Sequence, residues 1–268
     1  MAPHFIYIPS AAAGTPFTNT YSMDLNNGAT TDEYVDFGDV LNFGVSDPFT
    51  VMAWVKFDEV TTVLQTICGK RATGGGAGWV FATGNTGNTD HIFIIVHDGN
   101  GYIQVTCTNT ALATGSWCHL AAAYNGDATV TNMKIWINGA PKAVEVFDSG
   151  AFDTDMTNES PFRIGKIEFT SYNDFSGVIG DVVVLPKMCS NDEIAEIYNS
   201  GSEFDMTTFS DWANLKSSSQ CLWVNWEADT FESGSQPGVT DLSDNGRTGT
   251  ATNMSDATNK VEDAPPTP

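Results

Sequence analysis

Apolar and polar residues alternate along most of this chain in short runs. Tyr34-Val35-Asp36-Phe37 and Phe49-Thr50-Val51-Met52-Ala53-Trp54-Val55-Lys56-Phe57 change character at every second position, the period of a strand with one buried face. Gly78-Trp79-Val80-Phe81, His91 to Val96, Tyr102 to Cys107 and Lys134-Ile135-Trp136-Ile137 read the same way. Clusters such as Thr73-Gly74-Gly75-Gly76 and Asp98-Gly99-Asn100-Gly101 separate them as turns. Asn138-Gly139 predicts a type I′ hairpin, because both central positions of that turn need positive φ. One segment reads as a helix. Ser190 can cap it, Glu193 sits three residues on as in a capping box, and Gly201 follows its end. The pattern predicts an all-β, two-sheet antiparallel jelly-roll sandwich with one short helix near 190–199. A parallel α/β sheet would need helical periods that the chain lacks.

Three stretches follow from composition. Residues 1–20, rich in Pro, Ala, Ser and Thr, read as an extended N-terminal arm. Residues 21–256 read as a single jelly roll whose final strand comes from the C-terminal segment, through Leu222-Trp223-Val224-Asn225-Trp226. Residues 257–268, ending Asp263-Ala264-Pro265-Pro266-Thr267-Pro268, read as an extended tail. A truncated second repeat is the alternative, but no second hairpin-and-helix set follows.

The order of motifs narrows the fold further. Trp117-Cys118-His119-Leu120-Ala121, the Asn138-Gly139 hairpin, Ile164-Gly165, Phe175 to Val184 and Asp192 to Tyr198 occur in sequence. Together they resemble the laminin G-like branch of the concanavalin A-like lectin and glucanase superfamily. The tail from Gly249 resembles the ends of such proteins encoded by marine tailed bacteriophages. The resemblance implies a jelly roll, a structural histidine at His119, and a calcium ion held between the first strand and the Ile179-Gly180-Asp181-Val182 strand. The implied calcium carboxylates fall on Asn26 and Gly180, so both are missing. Asp181 is adjacent to Gly180, and neighbours in a regular strand face opposite sides, so it is not expected to substitute.

Charge changes the picture of partners. The chain has 33 Asp and Glu against 11 Lys and Arg, a formal net charge of -22 over 268 residues. Such a field repels phosphate backbones and anionic lipid, so nucleic acid is not an expected partner. It reads as solubility in salty surroundings, with divalent-cation sites as the sharper alternative. No apolar run approaches the ~20 residues of a membrane span, so membrane insertion is not expected. The start, Met1 to Pro9, lacks the basic and apolar regions of a secretory signal. The five cysteines, Cys68, Cys107, Cys118, Cys189 and Cys221, lack metal-ligand spacing and read as buried free thiols.

Candidate chemistry is sparse. Glycan hydrolases need two carboxylates sharing one strand face, and the pair Glu203-Phe204-Asp205 reads as loop acidity. No catalytic activity and no cofactor are expected. Weak Ca²⁺ binding is assigned to Asp32, Asp36 and Asp39. Sugar contact is assigned to Trp79 and Trp212, as tryptophans outside the regular alternation, and to Asn100 in a turn. The leading expectation is a non-enzymatic structural or attachment protein on a bacteriophage virion surface, either capsid decoration or fibre-associated, made in the host cytoplasm. Its expected partners are other virion or surface-assembly proteins, copies of itself, and host or environmental glycans. The alternatives are an extracellular lectin-like adhesin outside any virion and, last, a glycan hydrolase or lyase.

Overall fold

The computed structural model describes residues 17, 19–25, 32–59, 64–85, 90–108, 110, 112–168, 174–227 and 238–266. In chain order the strands are β1 Ser22–Leu25, β2 Tyr34–Asp36, β3 Phe49–Phe57, β4 Gln65–Arg71, β5 Gly78–Asn85, β6 Asp90–His97, β7 Tyr102–Thr108 and β8 Trp117–Tyr124. They continue with β9 Lys134–Ile137, β10 Ala140–Pro141, β11 Glu145–Asp148, β12 Arg163–Ile164 and β13 Gly177–Leu185. Helices α1 Asn191–Tyr198 and α2 Trp212–Leu215 follow, then β14 Leu222–Val224, β15 Gly238–Thr240, β16 Thr248–Thr252, α3 Asp256–Asn259 and β17 Lys260–Val261. The strands build two antiparallel sheets. The first has eight strands, in the order β10-β9-β8-β3-β13-β1-β17, with β14 also on β13. The second has nine, in the order β11-β7-β6-β5-β4-β12-β2-β16-β15.

Side-chain alternation puts Phe49, Val51, Ala53 and Val55 of β3 against Phe81, Ile92, Ile94 and Val105 of the second sheet, forming the main core. A second apolar layer covers the other side of the first sheet. There Met52, Ala121, Ala123, Trp136 and Val183 meet Ile194, Ile197, Trp212 and Leu215. The first sheet is therefore closed on both faces. Among the described residues the second sheet is covered from outside by a smaller cluster, in which Val80, Ala82, Phe93 and Ile95 meet Ile167, with Leu64 and Tyr102 at its edge. Among the described residues no helix is long and apolar enough to cross a membrane.

Local signals act as the sequence suggests. Asn138 and Gly139 take φ of 50° and 73° between β9 and β10. Ser190 Oγ accepts from Glu193 N at 3.2 Å while Ser190 N donates to Glu193 Oε2 at 2.8 Å, a complete capping box on α1. The helix stops on Asn199, left-handed at φ 48°, rather than at Gly201. Five cysteines are free and buried, and burial lifts the Cys118 and Cys221 thiols to about 12.

Two features depart from the sequence reading. The register of β13 slips between Ile179, opposite Val55, and Val182, opposite Ala53, so Gly180 and Asp181 together oppose Trp54. This β-bulge turns Asp181 to the outer side, where it lies with Trp54 and His119. Neighbours in a bulge do not obey strict alternation, which removes the argument that Asp181 cannot face where Gly180 does. The position of Asn26 lies outside the described residues. The bulge also marks a divided edge: β1 pairs with Gly177–Ile179 and β14 with Val182–Val184. Trp226 Nε1 donates to the Gly180 carbonyl at 2.6 Å in the gap between them.

The second departure is the tail. Residues 257–266 are part of the sandwich, because β17 pairs with β1 and hides that strand's free edge. Asp263 forms an ion pair with Lys56 and accepts from Trp117 Nε1 at 3.2 Å. Glu203 N donates to Pro266 O at 2.9 Å. Of the N-terminal arm, Phe17 packs on Trp223 with ring centroids 6.3 Å apart, and Asn19 is buried. Residues 1–16 and 18 lie outside the described residues.

Candidate functional site

The residues assigned to sugar contact separate. Trp79 is 1% exposed in the main core, stacked on Phe162 at 5.7 Å. Trp212 is 6% exposed and meets Trp223 edge-on at 5.7 Å under the α2 layer. Neither offers a ring to solvent. Burying an indole gains more than a flanking glycine turn or loop position can signal. Asn100 is exposed at the β6–β7 hairpin, where its backbone N–H donates to Asp98 Oδ1 at 2.8 Å.

Asp98 fixes that end of the sheet. It accepts from the backbone of Asn100, Gly101, Asp153 and Thr154 and from Thr154 Oγ1, all within 3.0 Å. Burial works against its charge, yet these donors outweigh burial and hold the carboxyl well below its usual range.

The aspartates assigned to calcium each face a cation. Asp32 pairs with Lys166 at 2.5 Å, Asp36 with Arg163 at 2.8 Å and Asp39 with buried Lys70 at 2.6 Å. The Lys70 contact, aided by Asn42, lowers the Asp39 carboxyl. Among the described residues no three His, Cys, Asp or Glu side chains gather as metal ligands. Charges in the sequence that suggest a metal are here used to hold β2, β12 and the following loops together.

Glu203 differs from its reading as a solvated loop acid, while Asp205 is a partly exposed loop residue that accepts from Thr207 N at 2.9 Å. Glu203 is 1% exposed, and its Oε1 accepts from Asn19 Nδ2 at 2.8 Å. Burial, with Glu227 adding to it against the Asn19 bond, raises Glu203 to about 8. Asp181 is likewise raised by burial and by Glu203 and Asp205. Glu203 lies under the terminal segments, bonded to Asn19 and Pro266. His119 is 2% exposed on the same outer side, and burial lowers it to about 3, consistent with the structural role that the resemblance implies.

The exposed chemistry lies elsewhere, at the β11 edge of the second sheet. Phe147 stands opposite Gln104, which lies between the core residues Ile103 and Val105 and so points outward. Phe147 is 44% exposed, the one exposed aromatic ring among the described residues. Tyr102 is its diagonal neighbour on that face. Tyr102 in turn stands opposite His97, with rings 5.9 Å apart and 16° from parallel. His97 Nδ1 accepts from Gly99 N at 2.8 Å, which leaves Nε2 as the protonated nitrogen of the neutral ring. Burial, with Arg71 nearby, keeps His97 below its usual range and hence neutral at pH 7. Gln104 Nε2 donates to Thr106 Oγ1 at 2.9 Å. The flank thus combines apolar ring faces with a ring N–H and an amide, on a β-strand platform tied down by Asp98. Sequence reasoning missed it because Glu145-Val146-Phe147-Asp148 has two apolar residues between acids and no alternation. The apolar pair soon after a hairpin is its only signal.

The sequence profile of the family described as the concanavalin A-like lectin/glucanases superfamily matches residues 28–195. A comparison with curated proteins finds none that matches. Among solved structures, a candidate carbohydrate-binding protein from Bacteroides ovatus superposes with a TM-score of 0.60 at 22% identity. The match covers 94% of this chain, and the chain spans 62% of that protein's length. The heptameric SAP-like pentraxin from Limulus polyphemus superposes with a TM-score of 0.51 at 14% identity, over 66% of this chain and 80% of the pentraxin. Likeness at these identities concerns the fold alone.

Proposed function

The chain belongs to the concanavalin A-like lectin/glucanase superfamily, and from that premise we propose that it is a non-catalytic glycan-binding module. The observation that carries the reading is Phe147, an exposed ring on the open flank of the second sheet, with Tyr102, His97 and Gln104 beside it. A pyranose presents apolar C–H faces and equatorial hydroxyls. Such a ring lies on an aromatic side chain while its hydroxyls bond to nearby donors and acceptors. The similarity to the Bacteroides ovatus protein agrees with this reading. The non-catalytic part rests on Glu203 and Asp205, the Glu-x-Asp pair within the described residues. Glu203 is buried beneath the C-terminal segment, and a retaining pair must flank a bound sugar about 5 Å apart.

The setting we propose is an attachment role on a virion or similar particle. It is supported by the motif resemblance. The C-terminal arm no longer supports it, because residues 257–266 are held in the fold.

A glycan array followed by calorimetry on the best binder tests the reading. Phe147→Ala should weaken binding at least tenfold, about 1.4 kcal/mol, with the melting temperature unchanged. Equal binding by the variant, or release of reducing ends by the wild type, would overturn it.

A further inference from the structure

Among the described residues β11 pairs only with β7, so Glu145–Asp148 forms an open edge of the second sheet. The outer strands β10, β17 and β15 have two, two and three residues, and β10 ends on Pro141, features that blunt an edge. β11 has four residues, all exposed, with neither proline nor lysine. At its end Ser149 N donates to Tyr102 O at 3.0 Å. Hydrogen-bonded pairs alternate with non-bonded ones along an antiparallel ladder, so Phe147 and Glu145 also turn their backbone groups toward β7. The N–H and C=O of Val146 and Asp148 therefore point away from the sheet.

Apolar side chains flank this edge on both sides. Val146 stands opposite the core residue Val105 and so faces the inner side, while Phe147 stands opposite Gln104 and faces the outer side. They are 48% and 44% exposed, two of the three exposed large apolar side chains among the described residues. A ligand lying on the outer face covers Phe147 and leaves Val146 and the outward backbone in water. An added strand covers all three at once.

Charge decides which strand. Glu145 and Asp148 put an acid at each end of the apolar pair. A second copy of β11, laid antiparallel with its apolar pair over this one, would set Glu145 against Asp148 at both ends. Two molecules of net charge -22 repel each other as well. The same acids attract basic residues at those two positions. We infer that the β11 edge is a docking site for an extended segment of another protein in which two adjacent apolar residues lie between two basic ones. The inference stands apart from the glycan reading, since it rests on Val146 and the outward backbone.

The test titrates the full chain, labelled with ¹⁵N, with the capped peptide Thr-Lys-Val-Ile-Lys-Thr and with its acidic twin Thr-Glu-Val-Ile-Glu-Thr. Laid antiparallel, the basic peptide sets its lysines opposite Asp148 and Glu145 and its apolar pair opposite Phe147 and Val146. The backbone amide signals of Val146 and Asp148 should shift saturably and more than that of Phe147. The acidic peptide should bind at least tenfold more weakly. Val146→Pro deletes an outward N–H without touching the ladder to β7 and should abolish the response. Glu145→Lys combined with Asp148→Asn, which keeps an acceptor for Gly150 N, should remove the preference for the basic peptide, so misfolding of one variant does not decide the matter. No saturable shift, equal binding of both peptides by the wild type, or unaltered behaviour of both variants would overturn the inference. So would a wild-type dimer in light scattering that Val146→Pro splits, because a second copy would then occupy the edge.

Discussion

Glu203 and Asp181 are two carboxyl groups buried around the amide of Asn19, with Asp205 and Glu227 adding negative charge nearby. A carboxyl raised by folding binds its proton more tightly in the native state than in the unfolded one. Stability therefore falls as pH rises from the unfolded value of 4.5 through about 8, the reverse of an ordinary salt-bridged acid. Asp98 behaves in the ordinary way. Its backbone donors stabilise the fold above its unfolded value, and that support is lost as acid protonates it. Unfolding measured across pH should show a maximum on the mildly acidic side of neutral. Glu203→Gln keeps an oxygen for Asn19 and removes the titration. It should flatten the loss between pH 5 and 8 and gain on the order of 1–3 kcal/mol at pH 8. Wild-type and variant curves that stay parallel over that window would dismiss the account. Glu203-Phe204-Asp205 gives no hint of this in sequence, because the groups that bury Glu203 are Asn19 and Pro266, far from it along the chain.

At the scale of elements, β13 shows how one irregular step organises its neighbours. The bulge at Gly180 and Asp181 divides the strand edge between β1 and β14. Gly180 leaves a hollow for Pro265, since a Cβ there would stand 2.8 Å from Pro265 Cγ and 3.1 Å from Trp54 Cβ. Gly180→Ala should push Pro265 outward at a cost of about 1–3 kcal/mol. Hydrogen exchange should then speed up at Lys260 and Val261 while β3 and β8 keep their protection. Unchanged exchange in β17 would mean that Pro265 does not anchor the tail. The helix α1 needs no such distant help. Its cap, its box and its two buried isoleucines lie within eight residues, so it was legible in the sequence to within a residue.

Across the whole molecule the C-terminal segment serves both sheets. β14 and β17 extend the first sheet, β15 and β16 extend the second, and all lie beyond the residues matched by the family profile. A chain ending at residue 219 would expose the edges of β2 and part of β13, along with the face that Trp223 and Trp226 cover. Edges and apolar surface of that kind associate, and even the acidic surface should not prevent it. Light scattering should show aggregates in place of a monomer. A soluble, cooperatively unfolding truncation would show that the first 219 residues form a sufficient core.

The sequence by itself determined the two-sheet class, the Asn138-Gly139 hairpin, helix α1 and a strand at Leu222 to Val224. Each of these depends on periodicity or on residues within a turn or two, so it is written locally. Only the tertiary structure decided which polar and aromatic residues meet solvent. It buried Trp79, Trp212 and Glu203, paired Asp32, Asp36 and Asp39 with cations, and left Phe147 open on an edge strand that has no pattern of its own. Burial and charge pairing depend on which distant segments cover a residue. In a sheet the neighbours of a side chain come from other strands, and register, bulges and the path of the tail are fixed only when all strands pack together.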